Sequence, residues 1–163
     1  MTNNDILRRL RYTFDFDDVK MIALFALADY TVTRAQVINW LKKDDDPDYK
    51  SCQDFQLATF LNGLINDKRG KREGKQAPAE DKLTNNIIFM KLKIALNLQA
   101  DDVVATLLLA EFKISKPELS AFFRKKTHKH YRECKDQILR NFLKGVQLKH
   151  RPESAAKEDF SWN

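Results

Sequence analysis

Apolar residues recur along most of the chain at intervals of three and four, the spacing that gathers them on one face of a helix. Ile6, Leu7, Leu10 and Phe14 define a first helix from about Asn4 to Phe14, with Asn3 or Asn4 expected to accept the unpaired N–H groups of its first turn. A second helix is expected from about Asp17 to Asp29. Its stretch MIALFALA is apolar around most of the circumference, which predicts burial on several sides. The third opens at Thr33, where Thr33-x-x-Gln36 has the form of a capping box, and it turns Val37, Trp40 and Leu41 inward. DDDPDYK, 44–50, breaks the pattern, because Pro47 and the aspartates oppose a continuing helix. A fourth helix comes next, with Asp54 as its expected N-cap and Phe55, Leu57, Phe60, Leu61 and Leu64 as its core stripe.

The same pattern then returns. Displaced by 82 residues, the chain aligns with itself without a gap. Thr2, Asn3 and Asn4 fall on Thr84, Asn85 and Asn86; Ile6 and Leu10 fall on Ile88 and Leu92. Tyr49-x-x-Cys52-x-Asp54 falls on Tyr131-x-x-Cys134-x-Asp136, and Leu57-x-x-Phe60-Leu61-x-Gly63 on Leu139-x-x-Phe142-Leu143-x-Gly145. The second capping box is Ser115-x-x-Glu118, with Pro117 in the first turn, where its missing N–H is harmless. The expected fold is all-α: a tandem repeat of two homologous four-helix units, each with a helix-turn-helix-like segment, packed with pseudo-twofold symmetry. The divisions are repeat one over 1–69, a polar basic linker over 70–83, repeat two over 84–151, and a flexible tail over 152–163 whose Phe160 and Trp162 are candidate docking residues.

Charge separates the copies. Repeat one carries a net −1, the linker +1, repeat two +8 and the tail −2, within a total of +6. A positive field confined to one half attracts polyanions. Four glycines and four prolines disfavour a turn-rich β architecture and a Gly-rich phosphate loop. No apolar run approaches the roughly 20 residues that span a bilayer, and the N-terminus lacks a signal-peptide core, so no membrane and a cytoplasmic location are expected. Two cysteines fit a reducing compartment.

Asn3–Tyr12, Phe60–Gly74, Asn85–Ile87, Ser115–Lys125 and Tyr131–Leu143 together resemble the YehS-like family, a bacterial domain-of-unknown-function family built on the same duplicated unit. The resemblance covers nearly the whole chain, to about Arg151, and implies a bacterial cytoplasmic origin. It carries no activity and supplies no catalytic residues.

The residues themselves favour a binding protein over an enzyme. If helix three of each repeat entered a major groove, its outward residues would face base edges and phosphates. These are Arg34, Gln36, Asn39, Lys42 and Lys43 in repeat one, and Lys116, Glu118, Ser120, Arg124 and Lys125 in repeat two. Lys71 and Arg72 in the linker are candidate phosphate contacts. DNA or RNA is therefore the first expected partner. Another protein, or a second copy in a homodimer, is the runner-up, and an enzyme with an inter-repeat cleft ranks third. Tyr49, Cys52 and Asp54, with Tyr131, Cys134 and Asp136, read as a structural device in which the Asp caps helix four while Tyr and Cys pin the preceding turn. His128, His130 and Cys134 include metal-ligand types, but no second His/Cys pair completes a set, so neither a metal nor a cofactor is expected.

Overall fold

The computed structural model describes residues 1–156. Phe160 and Trp162 lie outside them. The described residues form eight α-helices and one 3₁₀ turn: α1 Asn3–Phe14, α2 Asp18–Leu27, α3 Arg34–Leu41, α4 Asp54–Arg69, α5 Asn85–Ala95, α6 Ala100–Leu109, α7 Lys116–Ala121, α8 Asp136–His150 and the turn Pro152–Ala156. They fall into two compact units that divide between Leu83 and Thr84, where the second repeat was expected to start.

The capping boxes of α3 and α7 form as their spacing predicts. Gln36 N–H donates to Thr33 Oγ1 at 3.1 Å, and Glu118 N–H to Ser115 Oγ at 3.2 Å. At α1 the cap is Thr2, not Asn3 or Asn4. Asp5 N–H donates to Thr2 Oγ1 at 3.1 Å and the Asp5 carboxylate accepts from Thr2 N–H at 2.8 Å, a box that starts the helix at Asn3. At α4 the cap is Gln53, and Asp54 is the first helical residue. The expectation of α2 buried on several sides is also corrected. Met21, Leu24 and Phe25 are buried, but Val19 is 75% exposed, because α2 packs mainly on α3 and α4.

Glycine turns the chain only at Gly70 and Gly74, after α4; within the repeats other residues do so. Asp15, Asp29, Asn97 and Glu111 all adopt positive φ, between 54° and 60°, just after helices. They are matched pairs in the two repeats. Each is followed by an amide that reaches back to close the helix, as Phe16 N–H does to Arg11 O at 3.0 Å and Phe112 N–H to Leu107 O at 3.0 Å. Asp and Asn tolerate the left-handed region better than other side chains. Glycine is required instead where helices touch. A Cβ on Gly63 would collide with the Leu24 carbonyl of α2, and one on Gly145 with the Thr106 carbonyl of α6. Each repeat therefore crosses its second and fourth helices backbone to backbone.

The cores are equivalent but not identical. In unit one Phe25 is the hub, 5.5 Å from Trp40 and 5.4 Å from Phe60 between ring centroids. In unit two Phe89 is the hub, 6.4 Å from Phe122 and 4.6 Å from Phe142. Trp40 and Phe122 occupy matched positions, as do Phe60 and Phe142. The hubs do not: Phe25 matches Leu107, and Phe89 matches Leu7. All four are 0% exposed. The aromatic ring has moved from the second helix to the first, and a leucine has moved the other way, which keeps core volume nearly constant. Phe55, placed in the core stripe from sequence, is 39% exposed and packs edge-on against Tyr30 instead.

One side chain per unit ties the rest together. Asn4 Nδ2 donates to Trp40 O at 2.9 Å and Lys50 O at 2.8 Å, and its Oδ1 accepts from Cys52 N–H at 2.9 Å. Asn86 repeats this with Phe122 O at 3.0 Å, Arg132 O at 2.8 Å and Cys134 N–H at 2.9 Å. The preceding residue adds a second tie: Asn3 Nδ2 donates to Cys52 O at 3.0 Å and Asp54 Oδ1 at 2.7 Å, and Asn85 to Cys134 O at 3.0 Å and Asp136 Oδ1 at 2.7 Å. Freed from capping, these asparagines bind the first helix to the end of the third and the start of the fourth.

The linker and tail are more ordered than composition predicts. Gln76 accepts from Asn66 Nδ2 at 3.0 Å, and Leu83 N–H donates to Asp54 Oδ2 at 2.8 Å, so 70–83 lies on unit one. Pro152–Ala156 packs on α8 with Ser154 buried, which makes the start of the expected flexible tail part of unit two.

Phe89→Leu should destabilise unit two by about 1–2 kcal/mol through the space it leaves, and adding Leu107→Phe should recover most of that loss in urea unfolding. Failure of the double variant to recover would show that the exchange between repeats is not compensatory. Asn86→Ala should cost about 2 kcal/mol or more, since the buried Phe122 O and Cys134 N–H lose their partner at about 1–3 kcal/mol each, and the part-buried Arg132 O loses one as well. Hydrogen exchange at the Cys134 amide should accelerate with it.

Candidate nucleic-acid interface

The residues singled out on helix three are accessible, but most are engaged. Arg34 is exposed and its Nε pairs with Asp18 at 3.2 Å. The Gln36 side chain closes its own capping box, accepting from Thr33 N–H at 2.8 Å. Asn39 is half-buried. Lys42 bridges Asp48 at 3.4 Å and Asp46 at 3.9 Å. Lys116 pairs with Asp101 at 2.6 Å, and Ser120 Oγ donates to Pro117 O at 2.9 Å. In the linker, Lys71 pairs with Asp29 at 3.0 Å and Arg72 reaches Lys75 O at 3.4 Å.

The third helices are also shorter than the pattern implied. α3 stops at Leu41, so Lys42 and Lys43 lie past its end. α7 spans six residues and stops at Ala121, so Arg124 and Lys125 lie beyond it. The asparagine clamp occupies these ends: the carbonyls of Trp40 and Phe122, which a helix terminus leaves without an intrahelical partner, accept from Asn4 and Asn86.

Each third helix runs into a loop of the same construction. In unit one Asp46 N–H donates to Lys43 O at 3.0 Å, Tyr49 N–H to Asp46 O at 3.1 Å, and Lys50 N–H to Asn39 O at 3.2 Å. In unit two the matched bonds are His128 to Lys125 at 2.8 Å, Tyr131 to His128 at 3.0 Å and Arg132 to Ala121 at 3.1 Å. Even the side-chain brace is copied: Asp46 Oδ1 accepts from Asp48 N–H at 2.8 Å, and His128 Nδ1 accepts from His130 N–H at 3.0 Å. That bond requires an unprotonated Nδ1 on His128.

The loops share a backbone and differ in charge. Unit one presents Asp44, Asp45, Asp46 and Asp48 among Lys42, Lys43 and Lys50, whereas unit two presents Arg124, Lys125, Lys126, Lys129 and Arg132 with no carboxylate. All five of these cations are exposed, and within the described residues Lys125, Lys126, Lys129 and Arg132 make no ion pair. Arg124 lies 3.5 Å from His128 Nε2. Lys126, Lys129 and Arg132 were not singled out from sequence. Aligning the two repeats by charge exposes Lys126 and Lys129, which match Asp44 and Pro47, whereas Arg132 matches Lys50.

The Tyr-x-x-Cys-x-Asp segments line the inner side of these loops. Cys52 and Cys134 are buried, and their amides are the ones the asparagines hold. Asp54 and Asp136 are not N-caps; each sits in the first turn of its helix and accepts from the neighbouring Asn3 or Asn85. Burial pushes both thiols up to about 12, aided by the nearby Asp54 and Asp136 carboxylates. Burial, with the Asp5 and Asp44 charges, also raises Tyr49, while the Ser115 hydroxyl and amide lower Glu118. Among the described residues no three His, Cys, Asp or Glu side chains are grouped to hold a metal. A surface groove of about 320 Å³ in unit one is bordered by Tyr30, Phe55, Thr59 and the linker residues 75–79; none of those four shifted groups borders it. No helix among the described residues is long and apolar enough to cross a membrane.

Two matched helical units, each closed by an asparagine clamp, define this as a duplicated all-helical protein. The chain belongs to the family described as "Protein of unknown function (DUF1456)", which matches residues 3–70 and again 85–151. It is 43% identical over 149 residues to "Uncharacterized protein YehS" of Escherichia coli (strain K12), covering 90% of this chain and 94% of that protein. The resemblance read from the motifs is thereby shown, as is the duplication. No solved structure matches the chain.

With thiols raised to about 12, neither cysteine should act as a nucleophile near neutrality. Iodoacetamide at pH 8 should label neither Cys52 nor Cys134 in the folded protein and both in denaturant. The same shift sets the sign of the pH effect on stability. The unfolded thiols lose protons near 9 while the folded ones retain them to about 12, so stability is held below pH 9 and falls as pH rises through that window. Replacing both cysteines by alanine should flatten that fall in urea titrations at pH 8 and 10.

Proposed function

We propose that the protein is a cytoplasmic, non-enzymatic nucleic-acid-binding protein that holds the phosphate backbone with its second repeat. The observation that carries this reading is the loop after α7, where Arg124, Lys125, Lys126, Lys129 and Arg132 stand exposed on a hydrogen-bonded backbone. Phosphates are the natural counter-charge for such a cluster, and neutralising several of them releases condensed counterions. Lys116 and Ser120 at the outer side of α7 extend the same polar, exposed surface. In unit one Arg34 occupies the position of Lys116, with Asn39 further along α3, but the aspartates past the helix repel phosphate, so this copy contributes less.

The arrangement favours backbone contacts over base reading. Gln36 is spent on a helix cap, Lys42 on two aspartates, and α7 has under two turns to lay in a groove. Contacts to phosphate position a protein without specifying sequence. Affinity should therefore depend strongly on salt and weakly on base order.

Fluorescence anisotropy against random duplex DNA, single-stranded DNA and RNA tests this at about 50 and 200 mM salt. With about five phosphates neutralised, affinity for the preferred polymer should fall by two to three orders of magnitude over that range. Lys125→Glu/Lys126→Glu/Lys129→Glu should abolish binding, while Arg34→Glu should weaken it only slightly. No binding to any of the three polymers at low salt would overturn the reading.

A further inference from the structure

We infer that the cationic loop of the second repeat is also a docking surface for a second copy of this chain, and that the segment it takes is the acidic loop of that copy's first repeat. The inference goes beyond nucleic-acid binding and does not depend on it. Charge complementarity on a common scaffold carries it. The loop 42–50 and the loop 124–132 have the same turns, the same backbone hydrogen bonds and the same side-chain brace, from Asp46 in one and His128 in the other. They differ in charge at the tip: 44–48 holds four carboxylates where 126–130 holds Lys126 and Lys129, and the whole loop 42–50, with Lys42, Lys43 and Lys50, is net −1 against +5 for 124–132.

Both loops are held in shape before they meet anything. The clamps of Asn4 and Asn86 fix the two ends of each loop, at Trp40 O, Lys50 O and Cys52 N–H in one and at Phe122 O, Arg132 O and Cys134 N–H in the other. A preorganised surface loses little conformational entropy on docking. Asp44 and Asp45 make no ion pair within the described residues, nor do Lys125, Lys126 and Lys129. Lys42 partly neutralises Asp46 and Asp48, so the carboxylates outside any ion pair among the described residues are Asp44 and Asp45, with Lys43 and Lys50 in the same loop.

Pairing of unlike loops is heterologous: each chain carries one of each. Each contact leaves one loop of each kind through which further chains can add. The contact is small and polar, which places it in the weak, transient class, and its strength is set by screening of exposed charges. Nucleic acid competes for the same cations, so bound polymer would displace the second copy.

The test is sedimentation velocity of the full chain without nucleic acid, over a range of concentrations at about 20 and 300 mM salt. Wild type should associate at low salt and dissociate at high salt. Asp44→Lys/Asp45→Lys/Asp46→Lys leaves two basic loops, and Lys125→Glu/Lys126→Glu/Lys129→Glu leaves two acidic ones. Each variant alone should associate about tenfold or more weakly than wild type. An equimolar mixture of the two should regain association, because each then meets an oppositely charged loop. The neutral variants Asp44→Asn/Asp45→Asn/Asp46→Asn and Lys125→Gln/Lys126→Gln/Lys129→Gln should also weaken association, and they guard against misfolding of the reversed forms. A wild type that stays monomeric at low salt, single variants that associate as wild type does, or a mixture that fails to regain association would each overturn the inference. Because no polymer is present, failure here leaves the nucleic-acid reading standing, and failure of polymer binding leaves this one standing.

Discussion

The amide of Asn4, and of Asn86 in the second repeat, is the constraint on which each unit depends. A third helix must end, a loop must turn back, and a fourth helix must start beside the first. That junction buries two carbonyls and an amide with no regular partner, and buried backbone groups left unpaired are costly. One primary amide has two donors and an acceptor, the complement of that set. No other residue of similar size offers it: aspartate lacks the donors, and leucine lacks everything polar. The bond lengths agree to 0.1 Å between the repeats, so the same solution is used twice.

The clamp bears on function because it secures both ends of each loop from α1 or α5. Only one side-chain brace remains at the tip, from Asp46 or His128, and the other tip positions differ in charge between the repeats. Asp44–Asp48 and Lys126–His130 are the outcome: one backbone, two signs. The interior shows a related freedom. Phe25 with Leu7, and Phe89 with Leu107, fill equivalent space from opposite helices. Duplication supplies one scaffold, and divergence has acted where the clamp does not reach.

Close helix crossing sets a second limit. Gly63 and Gly145 bring α4 onto the Leu24 carbonyl and α8 onto the Thr106 carbonyl, and no side chain fits between. The turns that feed these crossings use Asp15, Asp29, Asn97 and Glu111 in left-handed conformations. Two of the four glycines are kept for contact and two turn the chain after α4, while acidic or amide residues make the left-handed turns within each repeat.

The amino-acid pattern alone was enough for the all-helical class, the duplication and the capping boxes at Thr33 and Ser115, because each rests on residues close in sequence or on an exact repeat. It misled where two local signals competed or where the answer lay far along the chain. Asn3 and Asn4 are good capping residues, but Thr2 with Asp5 makes a better box, and the asparagines are then drawn to groups 36 to 51 residues away. Asp54 has a cap's chemistry and instead accepts from Asn3 and Leu83. Phe55 falls on the apolar stripe, yet on that side it meets the edge of Tyr30 and then solvent. The basic half was visible in composition. That its charge gathers on a loop beyond a short α7, rather than along a reading helix, emerges only in the tertiary structure, where Asn86 holds Phe122 O, a contact across 36 residues that no local pattern encodes.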